Sequence, residues 1–360
     1  MVGETMQAVV CHGPKDYRLE EVDRPTPGPG EALVRVEACG ICASDLKCYH
    51  GAAKFWGDSN GRAAWAETEV IPGHEFVGEV SELDEAAAER WGVSVGDRVV
   101  SEQIVPCWTC RYCLRGQYWM CKPHNIYGFK RATPGAMASY MVYPVGSLVH
   151  KVSKEIPPAH AAFAEPLSCA LHGVERAGIT FEDVVVVSGC GPIGLGMVAG
   201  AKAKGPAHVV ALDAIDHKLE LARRAGADTV INVRDQDAVA AVRAMTEGDG
   251  ADVYIESAGH PSSVTQGLDI LRKLGTFVEY SVFGDDVTVD WTIISDDKEL
   301  DVRGAHLGPH CWPAAIAMIE SGRLPMDDIC THQLPVADFK QGLDLVADGS
   351  RSIKVSLIPE

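Results

Sequence analysis

The stretch Val184-Val-Val-Val-Ser188-Gly189-Cys-Gly191-Pro-Ile-Gly194 decides the fold. A continuous β-branched run is what a strand buried on both faces of a parallel sheet requires. The glycines that follow it form G-x-G-x-x-G, and an apolar helical pattern begins immediately after. In that context Gly189 makes the tight turn, Gly191 lets the backbone approach a pyrophosphate, and Gly194 permits close helix–strand packing. Pro192 and Ile193 then open a helix whose free backbone N–H groups favour phosphate. Asp213 ends the next apolar run, near the offset of about 20 residues at which an acid accepts ribose hydroxyls. A carboxylate there repels a 2′-phosphate, so the pattern predicts NAD rather than NADP. Lys218, on the next helix, is within reach of the same ribose, and Ser257, just past the run Asp252–Ile255, is a further candidate contact. The alternative is a plain tight turn with Asp213 as a helix cap.

Outward from this turn, Ala207–Leu212, Thr229–Ile231, Asp252–Ile255 and Thr276–Val278 repeat the buried run at βα spacing. That alternation predicts a doubly wound α/β domain over residues 162–300. Residues 1–161 have another rhythm: short apolar runs such as Ala32–Val36, Phe76–Val80 and Asp97–Val100 are separated by Gly and Pro and read as a β-rich domain. The segment 301–360 carries its own helix and strand signals, with Ile353–Leu357 as a final strand. The 360 residues fit two domains, and 46% hydrophobic with 23% charged residues is globular composition, which excludes intrinsic disorder. A net charge of −18 without a visible basic stripe argues against nucleic-acid binding. Val184–Ala201 is 18 residues long without a charge, but its five glycines and Pro192 fit the nucleotide turn better than a membrane helix. Met1–Val10 contains Glu4 and lacks the apolar stretch of a signal peptide, so a cytoplasmic chain is expected.

Twelve cysteines in a non-secreted chain suggest metal ligands rather than bridges. Cys107, Cys110, Cys113 and Cys121, in a lobe spanning 105–122, have the spacing C-x2-C-x2-C-x7-C. Four thiolates fill a tetrahedral zinc and leave no open position, so this metal is structural. The lobe has little apolar core of its own, and its folding should depend on the ion. An iron–sulfur cluster uses similar ligands, but Cys121 is followed by Lys122 and not by the proline of bacterial cluster runs.

Cys42, in Gly40-Ile-Cys-Ala-Ser44-Asp45, and His74, in Gly73-His-Glu75, are candidate ligands of a second zinc, with Glu165 in Glu165-Pro-Leu167. A thiolate, an imidazole and a carboxylate neutralise the metal and leave a fourth position open. Each residue alone has an ordinary reading, as a small buried hydrophobe, a core histidine or a helix-capping acid.

Taken together and in order, these motifs resemble the zinc-dependent medium-chain dehydrogenases along essentially the whole chain. Glu165 stands where simple alcohol dehydrogenases have a cysteine, and this resembles the sorbitol (polyol) dehydrogenase branch. Val302-Arg-Gly304, Trp312-Pro313 and Thr331-His332 are similar to that branch as well. The resemblance implies a GroES-like catalytic domain holding both zincs, a Rossmann domain, an active site in the cleft between them and a homo-oligomer, commonly a tetramer and otherwise a dimer. It implies Cys42 and His74 as ligands of the catalytic zinc, Ser44 as acceptor of the alcohol proton, and Asp45 as the group orienting His74. Glu75 and Glu165 both face the metal, with Glu165 favoured as third ligand.

The chain departs from the family in three places. Lys47 stands where many alcohol dehydrogenases end their proton path with a histidine, so the path ends on the cofactor ribose, on Lys47 or on water. The interval from Cys42 to His74 is long and carries Phe55, Trp56 and Trp65, which reads as a lid or wall of the substrate pocket, or else as a surface loop for subunit contact. Leu307 and Gly308 fill the places of an arginine and an aromatic residue of the polyol branch. Losing the arginine's five donors argues against sorbitol itself, with His306 and His310 as partial substitutes. The reading is NAD-dependent oxidation of a small polyhydroxylated substrate, such as erythritol or threitol. L-threonine 3-dehydrogenase, a butanediol or secondary-alcohol dehydrogenase, and an inactive NAD-binding relative are the alternatives.

Overall fold

The computed structural model describes residues 4–284 and 286–359; the first three residues of the stretch Met1–Val10 lie outside the described residues. The chain divides into two compact units, one of residues 1–165, 312–320 and 330–360, the other of 166–311 and 321–329.

In the second unit six parallel strands, Val184–Ser188, His208–Asp213, Thr229–Asn232, Ala251–Glu256, Leu271–Glu279 and Asp301–Gly304, form one sheet. Counted along the chain, they lie in the order third, second, first, fourth, fifth, sixth, the Rossmann arrangement. Val185, Val186 and Val187 are fully buried, because a parallel sheet with helices on both faces has no wet side. The sixth strand lies past the expected boundary at 300, and this unit runs to residue 311 because that strand pairs with Leu271–Glu279. The uncharged 18-residue run resolves into the strand Val184–Ser188 and the helix Pro192–Lys204. Among the described residues no helix is long and apolar enough to cross a membrane.

The first unit is built on a seven-stranded sheet whose middle is Ala32–Ile41, flanked by Glu75–Leu83 and by the C-terminal strand Val355–Ile358. Whereas 301–311 and 321–329 of the segment 301–360 belong to the other unit, the strand expected at Ile353–Leu357 is found at Val355–Ile358, inside the first unit's sheet between His332–Pro335 and Ala32–Ile41. Its core packs Phe76, Tyr127 and Tyr143 against Val34, Val80 and Leu357. Pairing sets Glu75 opposite Gly40, and Ser356 opposite Gly40 from the other side. Three distant segments therefore meet in one row, directly before Cys42.

Candidate metal and nucleotide sites

Cys42 leaves the central strand in extended conformation (φ −95°, ψ 155°) and caps the helix Ala43–Tyr49. Its backbone N–H donates to Asp45 Oδ2 at 2.9 Å, the reach-back of an acid in the first turn. The same helix presents Ser44, whose Oγ is 3.4 Å from His74 Nε2, and Lys47, half-buried in its last turn. Cys42, His74 and Glu75 offer one ligand atom each, all within 4.8 Å of one another. His74 and Glu75 are buried. Glu165, in the first turn of the helix Ala164–Ala177, lies outside that triplet and is held by Gln103, whose amide donates to its Oε1 at 2.6 Å. Glu75, not the favoured Glu165, is the carboxylate that stands with Cys42 and His74.

His74 Nδ1 faces Asp45 Oδ1 at 3.4 Å, and both atoms are buried without another hydrogen-bond partner. With the ring proton on Nδ1, the pair becomes a carboxylate–histidine contact that leaves the Nε2 lone pair for a metal. Burial works against charge on His74, yet Asp45 and Cys42 hold its pKa well above the usual value. A cation at this imidazole takes the place of that proton.

Two buried residues that hold the candidate carboxylates carry no motif in the sequence. Lys354 Nζ is ion-paired with Glu75 Oε2 and donates to the Ile41 carbonyl at 3.0 Å. A side chain at Gly40 would collide with the Glu75 carboxylate and the Lys354 stem, so the row is shaped for this pair. Lys354 and Gln103 each hold one of the two carboxylates that the sequence left as rival ligands. Lys354 immediately precedes the last strand, Val355–Ile358, and only a strand-pairing argument could have found it.

In the lobe, Cys107, Cys110, Cys113 and Cys121 also lie within 4.8 Å of one another. Backbone N–H groups point at the sulfurs, Cys107 N–H at Cys121 Sγ (3.2 Å) and Cys110 N–H at Cys107 Sγ (3.4 Å). The Thr109 hydroxyl and backbone N–H groups draw the Cys107 thiol down to about 6, whereas burial pushes Cys113 up to about 12. A divalent cation is what ionises all four at neutral pH. Trp108, Leu114 and Met120 are exposed, so the lobe holds little apolar core. Stripping this metal with a strong chelator is expected to make 105–122 the first segment cut in limited proteolysis, while the rest of the unit stays folded. Uniform digestion would remove the structural role.

In the second unit Gly189 adopts φ +92°, with Ala258 N 2.7 Å from where a side chain would begin. A side chain at Gly194 would strike the Gly189 carbonyl, while at Gly191 it would meet nothing within 4 Å. Gly191 caps the helix Pro192–Lys204, with Pro192 and Ile193 in its first turn. The open space above a helix N-terminus is the cradle that a pyrophosphate needs. Asp213 accepts from Cys190 N–H at 2.7 Å and from Ile215 N–H at 3.0 Å, so it ties the turn together. Lys218 is half-buried on the next helix. The Ser257 hydroxyl donates to the Ser188 and Gly189 carbonyls, at 2.8 and 3.0 Å, and so braces the turn.

Residues 28–154 match the alcohol dehydrogenase GroES-like domain, and residues 192–321 the zinc-binding dehydrogenase domain. The chain is 73% identical over 358 residues to an erythritol/L-threitol dehydrogenase of Mycolicibacterium smegmatis, covering 99% of each chain. The chain belongs to the zinc-dependent alcohol dehydrogenases. An L-threonine 3-dehydrogenase of Pyrococcus furiosus is 35% identical over 357 residues, 97% of each chain. Among solved structures, the alcohol dehydrogenase TADH of Thermus sp. ATN1 superposes with a TM-score of 0.82 at 30% identity, covering 99% of this chain and 100% of that one. Zinc and a nicotinamide dinucleotide are the groups this dehydrogenase family uses, and the donor sets of both units fit them. Cys42, His74 and Glu75 would hold the zinc that acts on the alcohol, and the four lobe cysteines the structural one.

Proposed function

We propose that the protein oxidises a secondary hydroxyl of a four-carbon sugar alcohol, erythritol or L-threitol, to the ketose, with NAD as hydride acceptor. The observation that carries this reading is the 73% identity over 358 residues to an erythritol/L-threitol dehydrogenase. Zinc bound by Cys42, His74 and Glu75 would act as a Lewis acid that lowers the pKa of the substrate hydroxyl. The residues around it manage protons and position. Ser44 accepts the hydroxyl proton, since its Oγ sits beside His74 and can donate onward as it accepts. Asp45 fixes the ring of His74. Lys354 offsets one of the two carboxylates, so that the metal keeps its electrophilic character.

The relatives at 35% identity keep L-threonine in play as a second reading. Threonine requires a cation for its carboxylate, and the buried cation at the site, Lys354, is taken by Glu75. The deciding assay is NADH formation from four-, five- and six-carbon polyols, butanediols and threonine, each with and without a chelator. Chelator-sensitive turnover of erythritol or threitol supports the reading, and turnover confined to threonine or simple alcohols replaces it.

NAD is preferred because Asp213 places a carboxylate where NADP carries its 2′-phosphate. Asp213→Gly is expected to narrow the NAD over NADP preference at least about tenfold, the effect of roughly 1.4 kcal/mol, and to weaken NAD itself because two turn contacts vanish with the side chain. An unchanged preference would place Asp213 away from the ribose. The same reading makes the protein a cytoplasmic homo-oligomer, a tetramer or dimer, which light scattering on the eluting peak measures.

A further inference from the structure

The parallel sheet of the second unit ends on two carboxylates that the proposed reaction leaves without a role. Glu256 and Glu279 close the neighbouring strands Ala251–Glu256 and Leu271–Glu279 and stand opposite each other in register. Register partners in parallel strands project to one face, and on this face they meet: two residues earlier, the partners Tyr254 and Phe277 bring their rings to 5.4 Å. Glu256 is fully buried. Its Oε1 accepts from Ala258 N–H at 2.9 Å, from Gly259 N–H at 2.8 Å and from the Ser263 hydroxyl at 2.5 Å. Its Oε2 is shielded from solvent without a donor, and so is Glu279 Oε1.

Two shielded acceptors side by side are costly without a donor, and one proton between them serves both. Among the described residues no cation takes that place. Ser188 flanks Glu256 in the sheet and Gly304 flanks Glu279. The helix Pro261–Ile270 contributes Ser263, whose carbonyl takes the Tyr254 hydroxyl at 2.8 Å. Charged groups on the adjoining elements are engaged elsewhere: Arg303 with Asp301 at 2.7 Å, Arg176 with the Gly304 carbonyl at 3.0 Å, and His260 with the Ser262 hydroxyl at 2.8 Å. Three donors on Glu256 favour its ionised form, so Glu279 is the acid that keeps the proton. Burial first, and then Glu256, push its pKa up to about 8, and the Ser281 N–H works against them.

The segment that Glu256 ties down, Ser257–Gly259, is the support of the glycine-rich turn. Ser257 N–H donates to the Ser188 carbonyl at 2.9 Å, and Ala258 N is the atom that a side chain at Gly189 would strike. We propose that Glu279 is a positioning residue for the dinucleotide: its protonated carboxyl donates to Glu256 Oε2, and this hydrogen bond keeps Ser257–Gly259 seated against the Gly189 turn. When Glu279 releases that proton to solvent, two like charges share the row, Glu256 shifts, and the support loosens. Because the form that binds best carries the proton, nucleotide affinity falls as pH rises through the Glu279 ionisation. The inference rests on the Gly189–Gly194 turn taking the dinucleotide and is independent of the substrate.

Infrared difference spectra and NADH fluorescence titrations of the intact zinc enzyme test it, with Glu279→Gln as the variant, because an amide keeps a donor and cannot ionise. The wild type is expected to show the carbonyl band of a protonated carboxyl at about pH 6.5, where an ordinary glutamate is ionised. The band should fade with a midpoint of about 8 and be absent from Glu279→Gln. The ratio of NADH Kd, wild type over Glu279→Gln, is expected within about twofold of unity at about pH 6.5 and at least about threefold higher by about pH 9.5, where one linked proton permits up to about tenfold per pH unit. A side chain that serves only the fold would leave this ratio level. Identical spectra overturn the shared proton, and a ratio level to within about twofold overturns the hold on the turn. Should Glu279→Gln not fold, the wild type decides: a band that fades upholds the proton, and one unchanged over that range refutes it. Should neither protein bind NADH, the dinucleotide reading of the turn falls and the positioning role with it.

Discussion

Cys42→Ala is expected to leave one zinc per chain where the unmodified protein binds two, and to lower NADH formation at least ~10³-fold. The magnitude follows from what the metal does to a hydroxyl. Zinc can bring the pKa of bound water from far above neutrality down to about 7, and without it an alcohol at neutral pH has no comparable route to lose its proton. Of the triplet, only Cys42 supplies a sulfur, and a site reduced to His74 and Glu75 has two ligands where three are needed. The four lobe cysteines are a separate set of ligands, so the second zinc should survive. Two measurements check this together, metal content of the purified variant and its turnover. An active Cys42→Ala with two zincs would rule out Cys42 as a ligand and zinc activation of the alcohol at this triplet. Ser44→Ala serves as the contrast: it should keep both metals and lose only the proton acceptor's share, about 10²–10⁴-fold.

Lys354→Met has the second largest expected effect, on stability. Lys354 and Glu75 are 3% and 1% exposed. In the metal-stripped protein, where no cation holds Glu75, taking away one partner of such a pair leaves a buried charge alone, which typically costs about 3–5 kcal/mol. Glu75→Gln combined with Lys354→Met should recover much of that loss, because no unpaired charge remains. Denaturant unfolding followed by a probe in the first unit reads it, since two units need not unfold together. The pH dependence has a definite sign. Burial opposes the Lys354 charge, but Glu75 and Cys42 hold its pKa above the ordinary lysine value. Its contribution is therefore complete below the unfolded lysine pKa of about 10.4 and is lost only as pH rises through the higher folded value. The gap between wild type and Lys354→Met should stay level from about pH 6 to 9. A gap that closes within that range, or a single variant as stable as wild type, would show that the pair is not what secures Glu75.

Features whose chemistry is local were legible in the sequence alone. Val184–Gly194 specifies strand, turn and helix within eleven residues, because buried β-branched residues and glycines with required clearances act on adjacent backbone. The four lobe cysteines are equally legible, since their ligand atoms converge within one short loop. Cys42 and His74 were recognisable from the residues around them.

The remainder depended on how distant segments pack. Whether Glu75 or Glu165 stands with Cys42 and His74 depends on Gln103 and Lys354, which are 62 and 279 residues from the carboxylates they hold. No local pattern encodes such partners, because sheet register brings them together. The strand Val355–Ile358 pairs with Cys39–Ile41, and Glu75 lies opposite Gly40 across the same sheet. Nor did the run of aromatics in the insert show that Phe55 and Trp65 would meet Phe129 beside His74. That convergence is a product of packing: rings remote in sequence are buried together where area is removed from water, and they meet beside His74 of the candidate metal triplet.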